Sequence, residues 1–169
     1  MKHKQVAGLL SDPRFVRKRA IWTVVSIVVV LLMIAAVIVT RSQTRTVVKL
    51  GTGTFSARIA KTDAARMKGL AGVTALSANQ AMLLAFKTDA RWQVWMKDMK
   101  IPLDIVWLNN DKKVVYIVPD APYQAGTGTV YTPSADTRYI LELPAGTVAR
   151  DGITIGQTAK IGVILGEIE

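Results

Sequence analysis

The sequence contains no cysteine and a single histidine, His3, close to the N-terminus. The absence of cysteine excludes disulfide bonds, thiolate metal sites and a cysteine nucleophile. Any chemistry in the rest of the chain must therefore proceed without a thiol or an imidazole. Carboxylates, carbonyls and water remain as metal ligands, and these favour Mg²⁺ or Ca²⁺ over Zn²⁺ or Cu²⁺. We expect neither a metal site nor a cofactor.

Charge is missing from one long segment. Residues 20–40 form an uninterrupted uncharged run that is rich in Val, Ile and Leu. At a rise of ~1.5 Å per residue, a helix of this length matches the hydrocarbon core of a bilayer. The run is longer than the apolar part of a cleavable signal peptide, and no Ala-x-Ala motif follows it. The sequence therefore predicts an uncleaved transmembrane helix, a signal anchor, over residues 20–40.

Basic residues flank this segment unequally, because more of them precede it than follow it. Those before it are Lys2, Lys4, Arg14, Arg17, Lys18 and Arg19, and those after it within a similar distance are Arg41, Arg45 and Lys49. Basic residues are enriched on the cytoplasmic side of membrane helices. We therefore expect a single-pass protein of the cell membrane with residues 1–19 as a cytoplasmic tail and the C-terminal part outside the cytoplasm.

The formal net charge of +10 does not indicate nucleic-acid binding. Residues 1–40 carry six basic and one acidic side chain, and residues 41–169 carry sixteen basic and eleven acidic ones, so each part contributes +5. Nucleic-acid recognition requires basic residues clustered on one face, and no basic run in the second part exceeds Lys112-Lys113. The expected partners are the lipid bilayer and an anionic envelope polymer or small ligand.

The chain after the anchor is predicted to be a linker over residues 41–46 and one domain over residues 47–169. Its pattern is mostly that of short strands, with two short helices, one of them capped by Thr62. The predicted strands lie at 55–59, 81–86, 105–108, 114–118, 139–143 and within 153–164, and the predicted helices at 62–70 and from 146 to about 152. The fold class is therefore mainly β (α+β), a small antiparallel barrel-like domain with two short helices.

Two glycine-rich segments superficially resemble phosphate-binding loops. They are Gly51-Thr52-Gly53-Thr54 and Gly126-Thr127-Gly128-Thr129. Neither completes a Gly-x-Gly-x-x-Gly motif or begins a clear helix. Both are interpreted as turns of a β-rich domain.

Three sequence blocks occur in an order that resembles a known family. They are Met67-Lys68-Gly69-Leu70, the segment 94–108 with Trp95-Met96-Lys97 and Ile101-Pro102-Leu103-Asp104, and Leu141-Glu142 followed by Gly146 and Gly152-Ile153. Over about residues 55–161 the chain resembles the bacterial and archaeal family called domain of unknown function 192. The resemblance implies a small β-barrel-like domain, often exported, and it implies no activity. The family usually has arginine where this chain has Lys68, and commonly methionine where it has Ala71.

Charged and aromatic residues within these blocks or directly beside them form the predicted binding surface. They are Arg66, Lys68, Trp95, Lys97, Asp104 and Glu142. Asp104 enters an apolar strand and should be shielded, with a turn cap or an ion pair to Lys97 or Arg66 as its structural interpretation. Glu142 alternates with Leu141 and Leu143, so it should be exposed on the sheet or line a groove. Period-two alternation places Trp95 and Lys97 on one face.

These features lead to one favoured function and two alternatives. The favoured one is a membrane-anchored extracytoplasmic binding or accessory module. The first alternative is a hydrolase or transferase that acts on cell-envelope polymers through Asp104 and Glu142 as paired carboxylates. The second alternative is a structural partner of another membrane protein.

Overall fold

The computed structural model describes residues 21–34, 45–123, 128–164 and 166–169, in two compact units, Met1–Ser42 and Gln43–Glu169. In the first unit, residues 21–34 form helix α1, and every residue of α1 is exposed. No helix within the described ranges is both long enough and apolar enough to cross a bilayer. Residues 20 and 35–40 of the predicted anchor, the tail 1–19 and linker residues 41–44 lie outside the described residues.

The second unit is built mainly of short strands. Its strands are β1 (Arg45–Leu50), β2 (Gly53–Ala60), β3 (Gln80–Ala90), β4 (Val94–Trp95), β5 (Leu103–Leu108), β6 (Val114–Ala121), β7 (Val130–Tyr131), β8 (Thr137–Pro144) and β9 (Lys160–Ile161), and its helices are α2 (Asp63–Lys68) and α3 (Thr147–Arg150). Seven strands form one sheet in the order β6-β5-β8-β3-β2-β1-β9, and β4 pairs with β7 in a small second sheet. The predicted β-rich fold with two short helices in this domain is confirmed.

The large sheet curls into a half-barrel. Its neighbouring strands are antiparallel except for β2 and β3, which run parallel and are connected through α2. At the start of the edge strand β6, the Val114 N–H donates to the carbonyl of Gln157 at 2.8 Å, and the Gly156 N–H donates to the carbonyl of Val114 at 2.9 Å. These bonds bring the segment before β9 to the start of β6. The sheet is therefore antiparallel with one parallel pair, which the sequence pattern did not predict.

Both faces of the sheet are covered, which explains why β3 and β5 are apolar at consecutive positions. The first hydrophobic cluster contains Leu83, Val106 and Leu141 together with Phe55 from β2. The second contains their neighbours on the opposite face and residues from the segments that cover it, among them Leu84, Phe86, Met96, Ile105, Trp107 and Ile140. A strand buried on both faces has no polar alternation, as the sequence pattern of 81–86 indicated.

Local predictions for the turns and helix ends are largely confirmed. The hydroxyl of Thr62 accepts from the N–H of Ala65 at 3.2 Å and caps α2. The Gly51 turn joins β1 to β2, and Asn109 lies in the turn between β5 and β6. β1 begins at Arg45, two residues before the predicted domain start. The strand predicted within 153–164 is reduced to β9, because the chain there turns through Gly156 at φ +95°.

Candidate functional site

A cavity of ≈ 440 Å³ opens on the face of the sheet that carries the second hydrophobic cluster. It lies between α2, the segment of β4 and β7, and the strands β3 and β8. Its apolar lining includes Leu70, Leu84, Phe86, Trp92, Val94 and Met99. Five of the six predicted surface residues line it, namely Arg66, Lys68, Trp95, Lys97 and Glu142. They come from three sequence blocks that only the fold brings together.

Arg66 forms part of the cavity wall and is held there by several partners. Its guanidinium donates to the carbonyls of Ala85 and Glu169, each at 2.8 Å, and pairs with Asp63 at 2.5 Å. The same group lies 4.9 Å from the ring centroid of Phe86, a cation–π contact. Because most of these donors are engaged and the side chain is only 7% exposed, Arg66 mainly holds α2 against β3.

Stacked aromatic rings form a second part of the wall. The rings of Phe86 and Trp92 lie 4.2 Å apart at an angle of 10°. The indole N–H of Trp92 donates to the carbonyl of Thr88 at 3.0 Å, and that of Trp107 donates to the carbonyl of Trp92 at 2.8 Å. Hydrogen bonds of this kind fix the ring orientations. The wall is therefore a preformed apolar surface.

Trp95 and Lys97 stand at the mouth of the cavity. The ammonium of Lys97 lies 5.3 Å from the ring centroid of Trp95, so the two side chains share one side as predicted. Trp95 is 46% exposed. An exposed tryptophan beside a lysine provides a contact surface with a positive charge at its edge.

Gly128 allows β7 to approach the β4 segment closely, and sequence analysis did not identify this role. A Cβ at Gly128 would lie 2.5 Å from the carbonyl carbon of Met96 and 2.6 Å from the nitrogen of Lys97, and its φ is +69°. Only glycine fits such a conformation and contact. The sequence signal for this role was the glycine-rich segment Gly126-Thr127-Gly128-Thr129, which the sequence analysis interpreted as a turn. Gly128 thereby brings Val130 to the cavity mouth.

Glu142 is the polar group on the sheet side of the cavity. It pairs with Met82 of β3 and Ile105 of β5, and it is 4% exposed. Its Oε2 atom is buried without a hydrogen-bond partner among the described residues. Burial raises the pKa of Glu142 to about 7, and the positive charge of Arg58 opposes that rise. Of the two positions expected for Glu142, exposed on the sheet or lining a groove, the structure shows the second, because the cavity wall covers this face.

Asp104 does not line this cavity. Its carboxylate is fully buried and accepts from the backbone N–H groups of Asp120 at 2.8 Å, Gly146 at 3.2 Å and Val148 at 2.6 Å. The predicted ion pair of Asp104 with Lys97 or Arg66 is therefore wrong, because backbone donors at the end of β6 and at the start of α3 bind the carboxylate instead.

The two predicted carboxylates lie on opposite faces of the sheet. In the ladder between β5 and β8, Asp104 is opposite Leu143 and Glu142 is opposite Ile105. Opposed residues of a ladder share a face, and successive residues alternate between faces. The interpretation of Asp104 and Glu142 as a paired site is therefore wrong.

Comparisons with known proteins identify relatives without an assigned activity. A family model described as Uncharacterized ACR, domain of unknown function 192, matches residues 46–161. The crystal structure of a protein of unknown function from Novosphingobium aromaticivorans has 30% sequence identity and a TM-score of 0.62, and the alignment covers 69% of this chain and 83% of that one. No curated protein matches the sequence significantly.

A second crystal structure is similar in fold. It is described as a putative transcription regulator from Sinorhizobium meliloti and aligns with a TM-score of 0.64 at 24% identity, over 69% of this chain and 93% of that chain. At this identity the likeness concerns the fold alone.

Proposed function

Because the chain belongs to the domain of unknown function 192 family over residues 46–161, a family without an assigned activity, we propose a function from the cavity itself. The domain is a binding module that takes a small, largely apolar organic ligand into the cavity over Glu142. One observation carries the proposal: a buried carboxyl, with one oxygen that has no hydrogen-bond partner in the described part of the chain, faces a preformed cavity lined by aromatic and aliphatic side chains. Ligand sites commonly combine such apolar walls with a few polar groups.

The energetics of Glu142 favour a ligand over a purely structural role. A buried polar group without a hydrogen bond costs roughly 1–3 kcal/mol. An apolar side chain in place of Glu142 would avoid this cost. A ligand atom or aromatic face that accepts a hydrogen bond from the carboxyl would recover part of that cost.

The carboxylate-dependent hydrolase or transferase receives less support. A two-carboxylate mechanism requires both groups at one substrate. Besides Glu142, the acidic residue lining this cavity is Asp63, which pairs with Arg66 and is 89% exposed. The exposed apolar side chains of Met67, Trp95 and Val130 surround the cavity. They therefore do not by themselves support a role as a structural partner of another membrane protein.

Binding can be tested by blocking the mouth of the cavity. Val130 is 50% exposed at the mouth, and Val47 is 51% exposed on β1 away from it. With the full chain in lipid nanodiscs and ¹⁵N-labelled tryptophan, 4-phenylbutan-1-ol is expected to shift the indole signals of Trp92 and Trp95. Val130→Trp should abolish these shifts because the larger ring fills the entrance.

Val47→Trp is the matched control and should bind as the wild type does. Trp22, in α1, reports partitioning of the probe into the bilayer. Equal shifts in the Val130→Trp and Val47→Trp variants, or shifts at Trp22 alone, would contradict a binding cavity.

We also propose that residues 20–40 anchor the domain at the outer side of the cell membrane. The support is the uncharged run, the excess of basic residues before it and the exposed apolar side chains of α1. A periplasmic alkaline phosphatase fused after Glu169 should be active, and a cytoplasmic fluorescent reporter at the same site should not be. The reverse activities would show that the domain faces the cytoplasm.

A further inference from the structure

We infer that the ligand of this cavity is an amphipathic organic acid, with its anionic group at the lysines of the mouth and an uncharged alkyl or aryl body inside. This inference rests on the proposed binding function and adds the chemical class of the ligand. It follows from three features of the cavity: the charges at its mouth, the state of its aromatic faces and the setting of Glu142.

The mouth carries an excess of positive charge. Lys68, at the end of α2, and Lys97, after β4, are exposed and line the cavity without a carboxylate partner among the described residues. The third cation, Arg66, is paired with Asp63, the only exposed acid along the described lining. An anion entering between Lys68 and Lys97 is therefore attracted, and a cation is repelled.

Two aromatic rings of the cavity, Phe86 and Trp95, already carry a cation of the protein. Organic cations are commonly recognised over the faces of aromatic rings. Here the guanidinium of Arg66 lies over Phe86, and Trp92 stacks on that ring. The ammonium of Lys97 lies over Trp95. The protein's own cations thus lie beside the aromatic surface and would repel a ligand cation there, so this surface is suited to an uncharged body.

The surroundings of Glu142 also favour an uncharged group at the inner end of the ligand. The charged groups around it are Arg58 across β3, Asp63, Arg66 and Lys68 on α2, and Lys97 at the mouth, and Met82 and Ile105 flank it in the sheet. Since burial raises the pKa of Glu142 to about 7, its acid form is well populated at neutral pH. A bound anion favours that neutral form further, so binding of the acid should weaken as pH rises from 6 to 8.

Three probes with one body and different head groups test the inference. They are 4-phenylbutyrate, 4-phenylbutan-1-ol and 4-phenylbutylamine, titrated into the full chain in nanodiscs with the signals of Trp92 and Trp95 as readout. The expected order of affinity is acid, then alcohol, then amine. Lys97→Gln should weaken the acid about three- to fivefold, as for a partly exposed charge pair, and leave the alcohol within about twofold. Glu142→Gln should remove the pH dependence of acid binding.

The outcomes separate the inference from the proposed function. Equal affinities for the three probes, or tighter binding of the amine, would overturn the organic-acid assignment while binding itself stood. Loss of acid and alcohol affinity by the same factor in Lys97→Gln would also overturn the organic-acid assignment. The lysine would then contribute to the shape of the cavity and would not bind the charge of the acid. Failure of all three probes to shift Trp92 and Trp95 would contradict the proposed function and this inference together.

Discussion

Replacement of Asp104 by alanine is expected to lower the free energy of unfolding by about 3–5 kcal/mol, since several buried N–H groups would each lose an acceptor at roughly 1–3 kcal/mol apiece. The carboxylate accepts three backbone hydrogen bonds, from Asp120, Gly146 and Val148. It thereby connects β5 to the end of β6 and to the start of α3. Alanine would leave three buried N–H groups without an acceptor, and each such group carries a desolvation cost.

The measurement is denaturant unfolding of the full chain in detergent micelles, followed by the fluorescence of the domain's tryptophans. Asp136→Ala, at an exposed aspartate in the loop before β8, is the matched control and should change the unfolding free energy by less than about 0.5 kcal/mol. Asp104→Asn should be intermediate, because its amide keeps one acceptor oxygen. A loss below about 1 kcal/mol for Asp104→Ala would show that these backbone donors do not depend on the carboxylate.

Glu142→Gln is expected to stabilise the domain by about 3 kcal/mol at pH 8 and to change its stability little at pH 4. The cause is the desolvation that raises the pKa of Glu142 from 4.5 to about 7, since each pKa unit corresponds to ~1.4 kcal/mol. In the unfolded chain the carboxyl ionises near 4.5, whereas in the folded chain it keeps its proton until about pH 7.

The sign of the pH dependence follows from this difference. Below pH 4.5 the side chain is protonated in both states, and its contribution to stability is fully present. As pH rises towards 7 the unfolded state releases the proton first, so the folded state loses stability until Glu142 also ionises. The amide of glutamine does not titrate, and the variant should therefore lack this decline.

Unfolding free energies of wild type and Glu142→Gln should be compared from pH 4 to pH 8. Glu167→Gln, at an exposed glutamate near the C-terminus, is the matched control and should follow the wild-type curve. Parallel curves for wild type and Glu142→Gln would mean that the carboxyl is solvated and that the cavity is open to bulk water at that point.

Much of the β-rich fold could be predicted, because local patterns specified the strands. The apolar alternation of 55–59 and 139–143 and the continuous run of 81–86 each correspond to a strand in the sheet. The parallel pairing of β2 with β3 could not be predicted, because register and direction depend on where the chain returns after α2. The length of the strand predicted within 153–164 was overestimated, since this segment pairs with β1 and with the residue before β6 at only a few positions.

The candidate site was predicted in part. Trp95 and Lys97 could be paired from their alternation on one short segment. The partners of Asp104 could not be identified, because backbone N–H groups leave no signal in the residue types of a sequence. The roles of Gly128 and of the Phe86–Trp92 stack were also missed, since both depend on contacts between segments that are distant from each other or irregular.

The sequence by itself determined the family, the mainly β domain and the residue types available for chemistry, because motif order, alternation and the absence of cysteine are local or compositional properties. Only the tertiary structure decided that Glu142 lies in an apolar cavity and that Asp104 lies on the other face of the sheet. Two carboxylates that look equivalent in the sequence thereby acquire different properties. Backbone N–H groups hydrogen-bond the carboxylate of Asp104, whereas burial raises the pKa of Glu142, whose Oε2 has no hydrogen-bond partner among the described residues.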